Sequence, residues 1–258
     1  MPELPDVEGF RRLLANTATG QRVKQVDAPD TELVRNRTSQ SFESALAGKR
    51  FDSPRRHGKW LIAPADGVEV LMHFGMTGAL AWSVGSAERH VHDRVIFVCE
   101  NGELRYNNMR RFGGVWLAES EEERAQVTGR LGPDAATVSA GDFAQLVTDR
   151  RGGIKAALMD QRLVAGVGNL MSDEILWRAR VRPDASVRAL TSRRRRQVFE
   201  ALRAVVSESS RYGRVPHGAR WLTRVRDMPQ ASCPRCGTAL RRTTVAGRTA
   251  VWCPRCQK

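Results

Sequence analysis

The sequence predicts an α+β protein of several domains, because three regions of the chain differ in pattern. Residues 20–118 hold short β-branched and aromatic runs between turn signals, typical of a sandwich or barrel. From about Ser120 the apolar residues recur at helical spacing. Four of the five cysteines fall in two Cys-x2-Cys pairs near the end. We therefore expect a β-sandwich domain with a leading helix, a helical domain and a metal-binding hairpin, over residues 1–119, 120–229 and 230–258.

The N-terminal region should begin with a helix. Pro5 suits a first helical turn, and apolar residues from Val7 to Leu14 share one face. Asp66-Gly67 is a hairpin signal between two strands. Cys99 lies in an apolar run and is most simply a core residue. Strands are predicted at residues 22–28, 60–65, 68–74, 79–83, 91–99, 103–107 and 114–118.

The second region should be built from helices at 140–148, 154–161 and 169–179, followed by a long helix. Thr191 can cap that long helix, which would run to about Arg211. Its four consecutive arginines, 193–196, favour a solvated face over a binding site. Residues 212–232, rich in glycine, proline and basic residues, are interpreted as a linker.

Charge narrows the class of partner. The 258-residue chain carries a net charge of +14 and has a pI of about 10.8. A GC-rich genome would explain why arginine is more frequent than lysine. It would not explain why basic residues outnumber acidic residues. A polyanion is expected, and nucleic acid is favoured over membrane because no terminal basic amphipathic helix carries a bulky apolar face. With no apolar run of about 20 residues and no signal peptide, a cytoplasmic protein is expected.

The paired cysteines predict a structural metal site. Each Cys-x2-Cys pair can hold one side of a tetrahedral ion, while the sixteen residues between the pairs fold back as a hairpin. Four thiolates leave no open coordination position, which favours one structural zinc, with iron as the alternative. The predicted ligands are Cys233, Cys236, Cys253 and Cys256.

The N-terminus offers a nucleophile. Removal of Met1 would expose the secondary amine of Pro2, and an α-amine titrates at roughly pH 8, far below a lysine. Such an amine can attack a sugar C1′ to form an iminium, and Glu3 beside it can hold or donate a proton. The alternative is that Pro2 and Pro5 only start a helix and that Glu3 is solvated.

Four further features are compatible with nucleic acid, although each has an ordinary structural alternative. The glycine turn before Asn169 suits a phosphate; the alternative is an ordinary turn in which Asn169 caps its helix. Lys59 follows a basic loop and could hold a phosphate or be solvated. Arg110 and Phe112 could fill the gap left by a flipped base, or Phe112 could pack inward. Arg248 lies at the hairpin tip, as a DNA probe or in a solvated turn.

Taken together, these motifs resemble the formamidopyrimidine-DNA glycosylase and endonuclease VIII family of base-excision repair enzymes. The resemblance spans Pro2 to Lys258. The matching motifs, in the family's order, are PELPDVE, HGK, HFGMTG, RYNNMRRFGG, LMDQRLVAGVGNLMSDEILWRA and CPRCG…GRT…CPRC. The resemblance implies a β-sandwich, a helix–two-turns–helix domain and a zinc finger, with a cleft for bent double-stranded DNA. It implies a monomer.

The resemblance also implies residue roles. Pro2 would be the nucleophile, with Glu3 as acid/base and Lys59 at the catalytic centre contacting a phosphate. The base would leave through a Pro2 imine, and β- and δ-elimination would leave a one-nucleotide gap. Phosphate contacts are implied for Asn169 and Arg248, and Lys155 is placed near the DNA backbone too. Filling of the vacated space is implied for Met76, Arg110 and Phe112.

Several positions depart from the family pattern. Asp6 stands where glutamate is usual, Leu170-Met171 replaces an aromatic-containing pair, and Met109 stands where proline is frequent. The segment 212–232 is short and does not match the loop that caps oxidised guanine, which puts 8-oxoguanine specificity in doubt. Two alternatives stay open: a non-catalytic zinc protein that senses damage, and a lyase that acts only on abasic sites.

Overall fold

The computed structural model describes residues 1–85, 87–148 and 150–258. They form two compact units, one containing Met1–Pro2 and Asp6–Arg130, the other Glu3–Pro5 and Leu131–Lys258. The division after Arg130 differs from the predicted boundary at 119/120, and the three-domain division stays a prediction. Within the described ranges, no helix has both the length and the apolar character needed to cross a membrane.

The first unit contains two four-stranded antiparallel sheets, with strand orders β1-β6-β7-β5 and β2-β3-β4-β8. Its helices are α1 (Leu4–Thr17, which starts in the second unit), α2 (Ser39–Leu46) and α3 (Glu121–Thr128). Its strands are β1 (Val23–Asp27), β2 (Arg55–His57), β3 (Trp60–Ala65), β4 (Val68–His73), β5 (Gly78–Ser83), β6 (Asp93–Cys99), β7 (Glu103–Asn108) and β8 (Gly114–Ala118).

The core of this unit is aromatic at its centre. The Phe97 ring lies 5.7 Å from that of Phe51 and 6.2 Å from that of Phe42, a spacing that favours tilted and edge-on packing. Cys99 is buried with them as predicted, and burial raises the pKa of its thiol to about 12. The predicted strands are all present. The sequence analysis did not predict α2 or the three-residue strand β2, which it interpreted as a basic loop.

The second unit is helical, with a small hairpin at its end. Its helices are α4 (Ala140–Thr148), α5 (Ile154–Met159), α6 (Asn169–Ala179) and α7 (Ser192–Tyr212), and its strands are β9 (Arg241–Val245) and β10 (Arg248–Trp252). The Thr191 side chain accepts a hydrogen bond from Arg194 N, which confirms the predicted cap of α7. The α+β class is therefore confirmed.

The segment 212–232 is not the linker that its composition indicated. Trp221 and Leu222 are buried, and Leu222 begins a short 3-10 turn. Leu222 N donates to Glu174 Oε2 on α6 over 2.8 Å. Arg226 is only 5% exposed. Glycine and proline were correct signals of irregular backbone, but the two apolar side chains and Arg226 fix that backbone against the helices.

Candidate active site and metal centre

The Glu3 carboxylate is bound by the backbone at the start of α6. Its Oε2 accepts hydrogen bonds from Gly168 N at 2.8 Å and Met171 N at 3.1 Å, and its Oε1 accepts one from Leu170 N at 2.8 Å. These N–H groups lack partners inside the helix, and the helix dipole favours negative charge here. Glu3 is fully buried. The solvated alternative for Glu3 is therefore wrong, and its orientation is fixed.

Two glycines make room for this arrangement. A Cβ at Gly168 would lie 2.3 Å from Glu3 Cδ, closer than any real contact. Gly166 adopts φ of +112°, and a Cβ there would lie 2.6 Å from Leu4 Cδ1. The Gly166 carbonyl also accepts a hydrogen bond from Leu4 N at 3.0 Å. The turn interpreted from sequence as a phosphate cradle thus holds the N-terminal segment of the chain.

Pro2 directly precedes this fixed carboxylate. Its side chain is half-buried, and Met1 is 41% exposed. Helix α1 begins two residues later, at Leu4. The Pro2 nitrogen becomes a free secondary amine only when Met1 is removed, and the short, extended link to Glu3 keeps the two groups adjacent.

Lys155 lies in a buried ion pair and not on the surface. Its side chain is fully buried, and its ammonium contacts the Asp173 carboxylate. It also donates to the backbone carbonyl of Asn169 over 3.3 Å. Burial lowers the pKa of Lys155, while the charge of Asp173 opposes that shift. Because a fully buried ammonium cannot reach a phosphate, the predicted contact of Lys155 with DNA is corrected: the residue supports the start of α6.

Asp173 has a second cationic partner. Arg226 Nε donates to Asp173 Oδ2 over 2.8 Å, and the same oxygen accepts a hydrogen bond from Val251 N at 3.2 Å. Arg226 also donates to the Thr249 carbonyl over 3.0 Å. The Asp173 carboxylate therefore joins α5, α6, the segment before the hairpin and β10 in one buried network.

Asn169 is the first residue of α6, and Gly168 occupies the cap position. The prediction that Asn169 caps its own helix is therefore wrong. Its Oδ1 is buried and has no hydrogen-bond partner among the described residues. An anion at this helix N-terminus would be bound by the amide Nδ2, which donates, and not by Oδ1, which only accepts.

Lys59 lies in the turn of the β2–β3 hairpin. His57 pairs with Trp60 across the two strands, and Gly58 adopts φ of +56°. Burial and the charge of Lys59 lower the pKa of His73 to about 4. His73 is therefore neutral near pH 7 and adds no positive charge beside Lys59.

The stretch containing Arg110 and Phe112 forms an exposed loop. Phe112 is 52% exposed, so the alternative of inward packing is wrong. The Arg110 guanidinium lies 5.3 Å from the centre of the Phe112 ring. A Cβ at Gly75 would lie 1.6 Å from the Phe112 carbonyl oxygen, so the turn that carries Met76 packs directly on this loop. The turn at residues 75–77 therefore lies against the loop of Arg110 and Phe112, and Arg110 N donates to Thr77 Oγ1 over 3.1 Å.

Two charged residues outside the loop fix its backbone. Arg35 donates from Nε to the Gly113 carbonyl over 2.8 Å and from Nη2 to the Arg111 carbonyl over 3.0 Å. Asp30 lies 2.7 Å from Arg111 Nε. Arg111 adopts φ of +57°, a conformation that costs a non-glycine residue energy and needs such support. The sequence analysis identified neither Arg35 nor Asp30.

The four predicted cysteines meet at one point, and their sulfur atoms all lie within 4.8 Å of one another. Cys236 Sγ lies 3.5 Å from Cys253 Sγ and 3.4 Å from Cys256 Sγ, and Cys233 Sγ lies 4.0 Å from Cys256 Sγ. A tetrahedral zinc with Zn–S bonds of about 2.3 Å requires sulfurs about 3.8 Å apart. The geometry fits one structural zinc.

The hairpin between the cysteine pairs is confirmed. Arg248 pairs with Val245 across a tight turn in which Ala246 and Gly247 have φ of +49° and +72°. The Arg248 side chain is exposed beside this turn. On the helical side of the zinc site, Trp177 Nε1 lies 3.3 Å from Cys233 Sγ. An N–H donor to a thiolate orients the ligand and stabilises its charge.

Three family models match the chain in order. The "Formamidopyrimidine-DNA glycosylase N-terminal domain" matches residues 1–115, the "Formamidopyrimidine-DNA glycosylase H2TH domain" residues 131–216, and the "Zinc finger found in FPG and IleRS" residues 233–258. A formamidopyrimidine-DNA glycosylase of Thermus thermophilus is 36% identical over 276 residues, covering 100% of this chain and 98% of the relative.

Solved structures are similar over the full length. The Lactococcus lactis Fpg (MutM) complex with DNA containing an oxidized pyrimidine is 26% identical and superposes with a TM-score of 0.90. The complex of the same protein with DNA containing N7-benzyl-Fapy-dG is 26% identical, with a TM-score of 0.88. Both comparisons cover 100% of each chain.

One zinc ion per chain is expected by metal analysis of the purified protein. Replacement of a ligand, Cys253→Ser, should release the zinc and unfold the hairpin while the β-sandwich keeps its thermal transition, because the site contributes folding energy only locally. Cys99→Ser, at a buried cysteine outside the cluster, should keep the zinc. Iron in place of zinc, or full zinc content in Cys253→Ser, would contradict the assignment.

Asp173→Asn should destabilise the protein by about 3 to 5 kcal/mol, because it leaves Lys155 and Arg226 buried without their anion. The measurement is the free energy of unfolding in urea, followed by tryptophan fluorescence. Asp184→Asn is the matched control. Asp184 pairs with Arg182 at the surface, with side chains 50% and 46% exposed, so its loss should cost about 1 kcal/mol or less. Equal losses for both variants would refute the network.

Proposed function

The chain belongs to the formamidopyrimidine-DNA glycosylase family, and on that premise we propose how its own residues perform base excision. It is a DNA glycosylase of base-excision repair with abasic-site lyase activity, and its partner is damaged DNA. The observation that carries the proposal is Glu3, buried on three backbone amides directly after Pro2. A carboxylate fixed beside a potential secondary amine is the pair of groups that imine chemistry requires.

In the proposed reaction the Pro2 nitrogen attacks C1′ of the damaged nucleotide. The N–C1′ bond forms as the bond from C1′ to the base breaks, and the base leaves with the electron pair and takes up a proton. The nitrogen then loses its proton, the C1′–O4′ bond breaks as O4′ takes up a proton, and a C1′=N iminium forms. Loss of a proton from C2′ then sends electrons into this iminium, and the 3′ phosphate leaves by β-elimination. A second, δ-elimination releases the 5′ phosphate and leaves a one-nucleotide gap. Glu3 would transfer protons during sugar opening.

The proposed DNA contacts follow from exposure and charge. Lys59, Asn169 and Arg248 would each bind a phosphate, since all three offer hydrogen-bond donors at turns or a helix start. Met76, Arg110 and Phe112 would enter the duplex where the base is flipped out, because Arg110 and Phe112 are exposed on a supported loop and the half-buried Met76 lies in the turn packed on that loop. Lys155 is excluded from this set by its burial.

We propose a preference for ring-opened bases and abasic sites over 8-oxoguanine. The segment 212–232 is short, and its Trp221, Leu222 and Arg226 are committed to the interior of the second unit. A segment held in this way leaves little chain to close over a flipped base, and pocket contacts decide which base is accepted. A location in the cytoplasm with the nucleoid and a monomeric state are further parts of the proposal.

A duplex panel would test this preference. The substrates are matched oligonucleotides with formamidopyrimidine, 8-oxoguanine, thymine glycol, dihydrouracil or an abasic site, compared by single-turnover rates. Faster reaction on formamidopyrimidine and abasic DNA than on 8-oxoguanine is expected. Efficient removal of 8-oxoguanine opposite cytosine would overturn the preference. Cleavage of abasic DNA alone would identify a lyase without a functional base pocket.

Blocking the N-terminus should abolish covalent chemistry. A protein that retains Met1 has its Pro2 nitrogen in an amide, which has no nucleophilic lone pair. Borohydride trapping on abasic DNA should then fall below detection, while DNA binding stays unchanged. The control is the same preparation treated with methionine aminopeptidase, which should recover trapping with the crosslinked peptide beginning at Pro2. Normal trapping by the blocked protein would point to a lysine such as Lys59.

Glu3→Gln should reduce base excision by about 10²- to 10⁴-fold, as loss of a general acid or base does. Cleavage of a preformed abasic site should fall less, because no base has to depart. The glutamine side chain also places an NH2 donor opposite the backbone N–H groups of α6, which are donors too. The thermal transition must therefore be measured beside the rates. Glu32→Gln, on an exposed glutamate, should change neither rate. Equal loss of both activities would contradict a role for Glu3 in base departure.

Arg35→Ala should reduce base excision by about 10- to 100-fold through misplacement of the Arg110–Phe112 loop. Cleavage at an abasic site should fall less, since no base has to be held out of the helix. Arg50→Ala removes a similarly exposed arginine that donates to the Gly20 carbonyl elsewhere, and it should leave excision unchanged. Rescue by Arg35→Lys should be partial, because lysine cannot span both carbonyls. Wild-type excision by Arg35→Ala would exclude this role.

A further inference from the structure

A cavity of about 720 Å³ lies in the second unit, where the C-terminal ends of α6 and α7 meet the start of the zinc hairpin. Its lining includes Trp177, Arg178, Tyr212, Arg220, Trp221 and Arg235. We call it the arginine–tryptophan cavity. With a rise of 1.5 Å per residue, α6 separates Trp177 from Asn169 by about 12 Å along its axis. The cavity is therefore distinct from the Glu3 end of the same helix.

Two stacked arginine–tryptophan pairs form its floor. The Arg178 guanidinium lies 4.2 Å from the centre of the Trp221 ring, and that of Arg235 lies 4.2 Å from the centre of the Trp177 ring. Arg178 also donates to Glu174 over 2.8 Å and to Glu208 over 2.9 Å. Arg235 donates to the Trp177 carbonyl over 3.1 Å. These contacts fix the shape of the cavity before any ligand arrives.

The rim is cationic and carries one exposed aromatic ring. Arg211, Arg220 and Arg235 are exposed, and the one lining carboxylate, Glu208, is paired with Arg178. Tyr212 is 69% exposed. Arginine, tryptophan and tyrosine are the residues that dominate binding energy at protein–protein interfaces. Positive potential in a concave surface attracts an anionic partner.

The chemistry distinguishes between anionic partners. Single-stranded nucleic acid binds by stacking its bases on open aromatic faces. Here each tryptophan has one face covered by a guanidinium, and both are buried, with exposures of 4% and 7%. Carboxylates on flexible side chains can instead reach the rim arginines one at a time, and an apolar side chain can pack beside Tyr212.

We propose that the arginine–tryptophan cavity binds a short acidic segment of a partner protein, with carboxylates at Arg220 and Arg235 and an apolar side chain against Tyr212. The cavity volume falls in the range that holds a few amino-acid residues. This site gives the protein a docking point for another protein that is separate from its catalytic residues.

The test uses the full-length, zinc-loaded protein and two fluorescein-labelled peptide pools. One pool consists of short random sequences of Asp, Glu, Leu and Phe, and the matched pool has Asn and Gln in place of the acids. Fluorescence anisotropy should show binding of the acidic pool only. Arg220→Glu should weaken that binding by at least about tenfold, because a rim cation becomes an anion. Arg193→Glu, the same change at the start of α7, should alter it by less than about twofold.

A second variant, Tyr212→Ala, should also weaken binding, so the test does not depend on one substitution. Cleavage of abasic DNA should be normal in both cavity variants, which shows that they are folded. The proposal is overturned if the acidic pool does not bind at about millimolar concentration. It is also overturned if the neutral pool binds equally, if Arg193→Glu is as damaging as Arg220→Glu, or if a single-stranded oligonucleotide displaces the peptides.

Discussion

The arrangement of the proposed catalytic residues depends on one carboxylate. Glu3 accepts three hydrogen bonds from the first turn of α6, and this contact places the third residue of the chain in the interior of the second unit. The contact needs a backbone with no side chain at residue 168 and a left-handed turn at residue 166. A reactive terminal amine on an unrestrained tail would lose conformational entropy each time it bound a sugar. Here the tail is already ordered when the protein folds.

A second buried carboxylate stabilises the elements around the first. Asp173 compensates Lys155 and Arg226, whose other donors reach the carbonyls of Asn169 and Thr249. The start of α6 and strand β10 therefore share one anion. A zinc site held at the end of this network can be structural and still affect the proposed active site. Unfolding of the hairpin removes Val251 N, which donates to Asp173, and the Thr249 carbonyl, which holds Arg226.

Much of the fold was predictable because alternation and helical spacing are local signals. The strands from Trp60 to Ala118 and the Thr191 cap follow from residues that are neighbours in sequence. The zinc ligands were predictable for the same reason. Strand β2 was too short to show alternation, and the order around Trp221 and Arg226 depends on partners far away in the chain. Lys155 shows the same limit: its charge suggested DNA, but only the fold reveals Asp173 beside it.

The zinc centre also changes how the charge of this protein should be counted. Four thiolates and one Zn²⁺ carry two net negative charges, so the bound centre is itself a small anion. Arg255 lies within the second Cys-x2-Cys pair, next to that anion in sequence. Its guanidinium offsets the charge of the metal centre before it is available to any polyanion. The number of counterions displaced when DNA binds should therefore be smaller than the abundance of arginine in the last residues suggests.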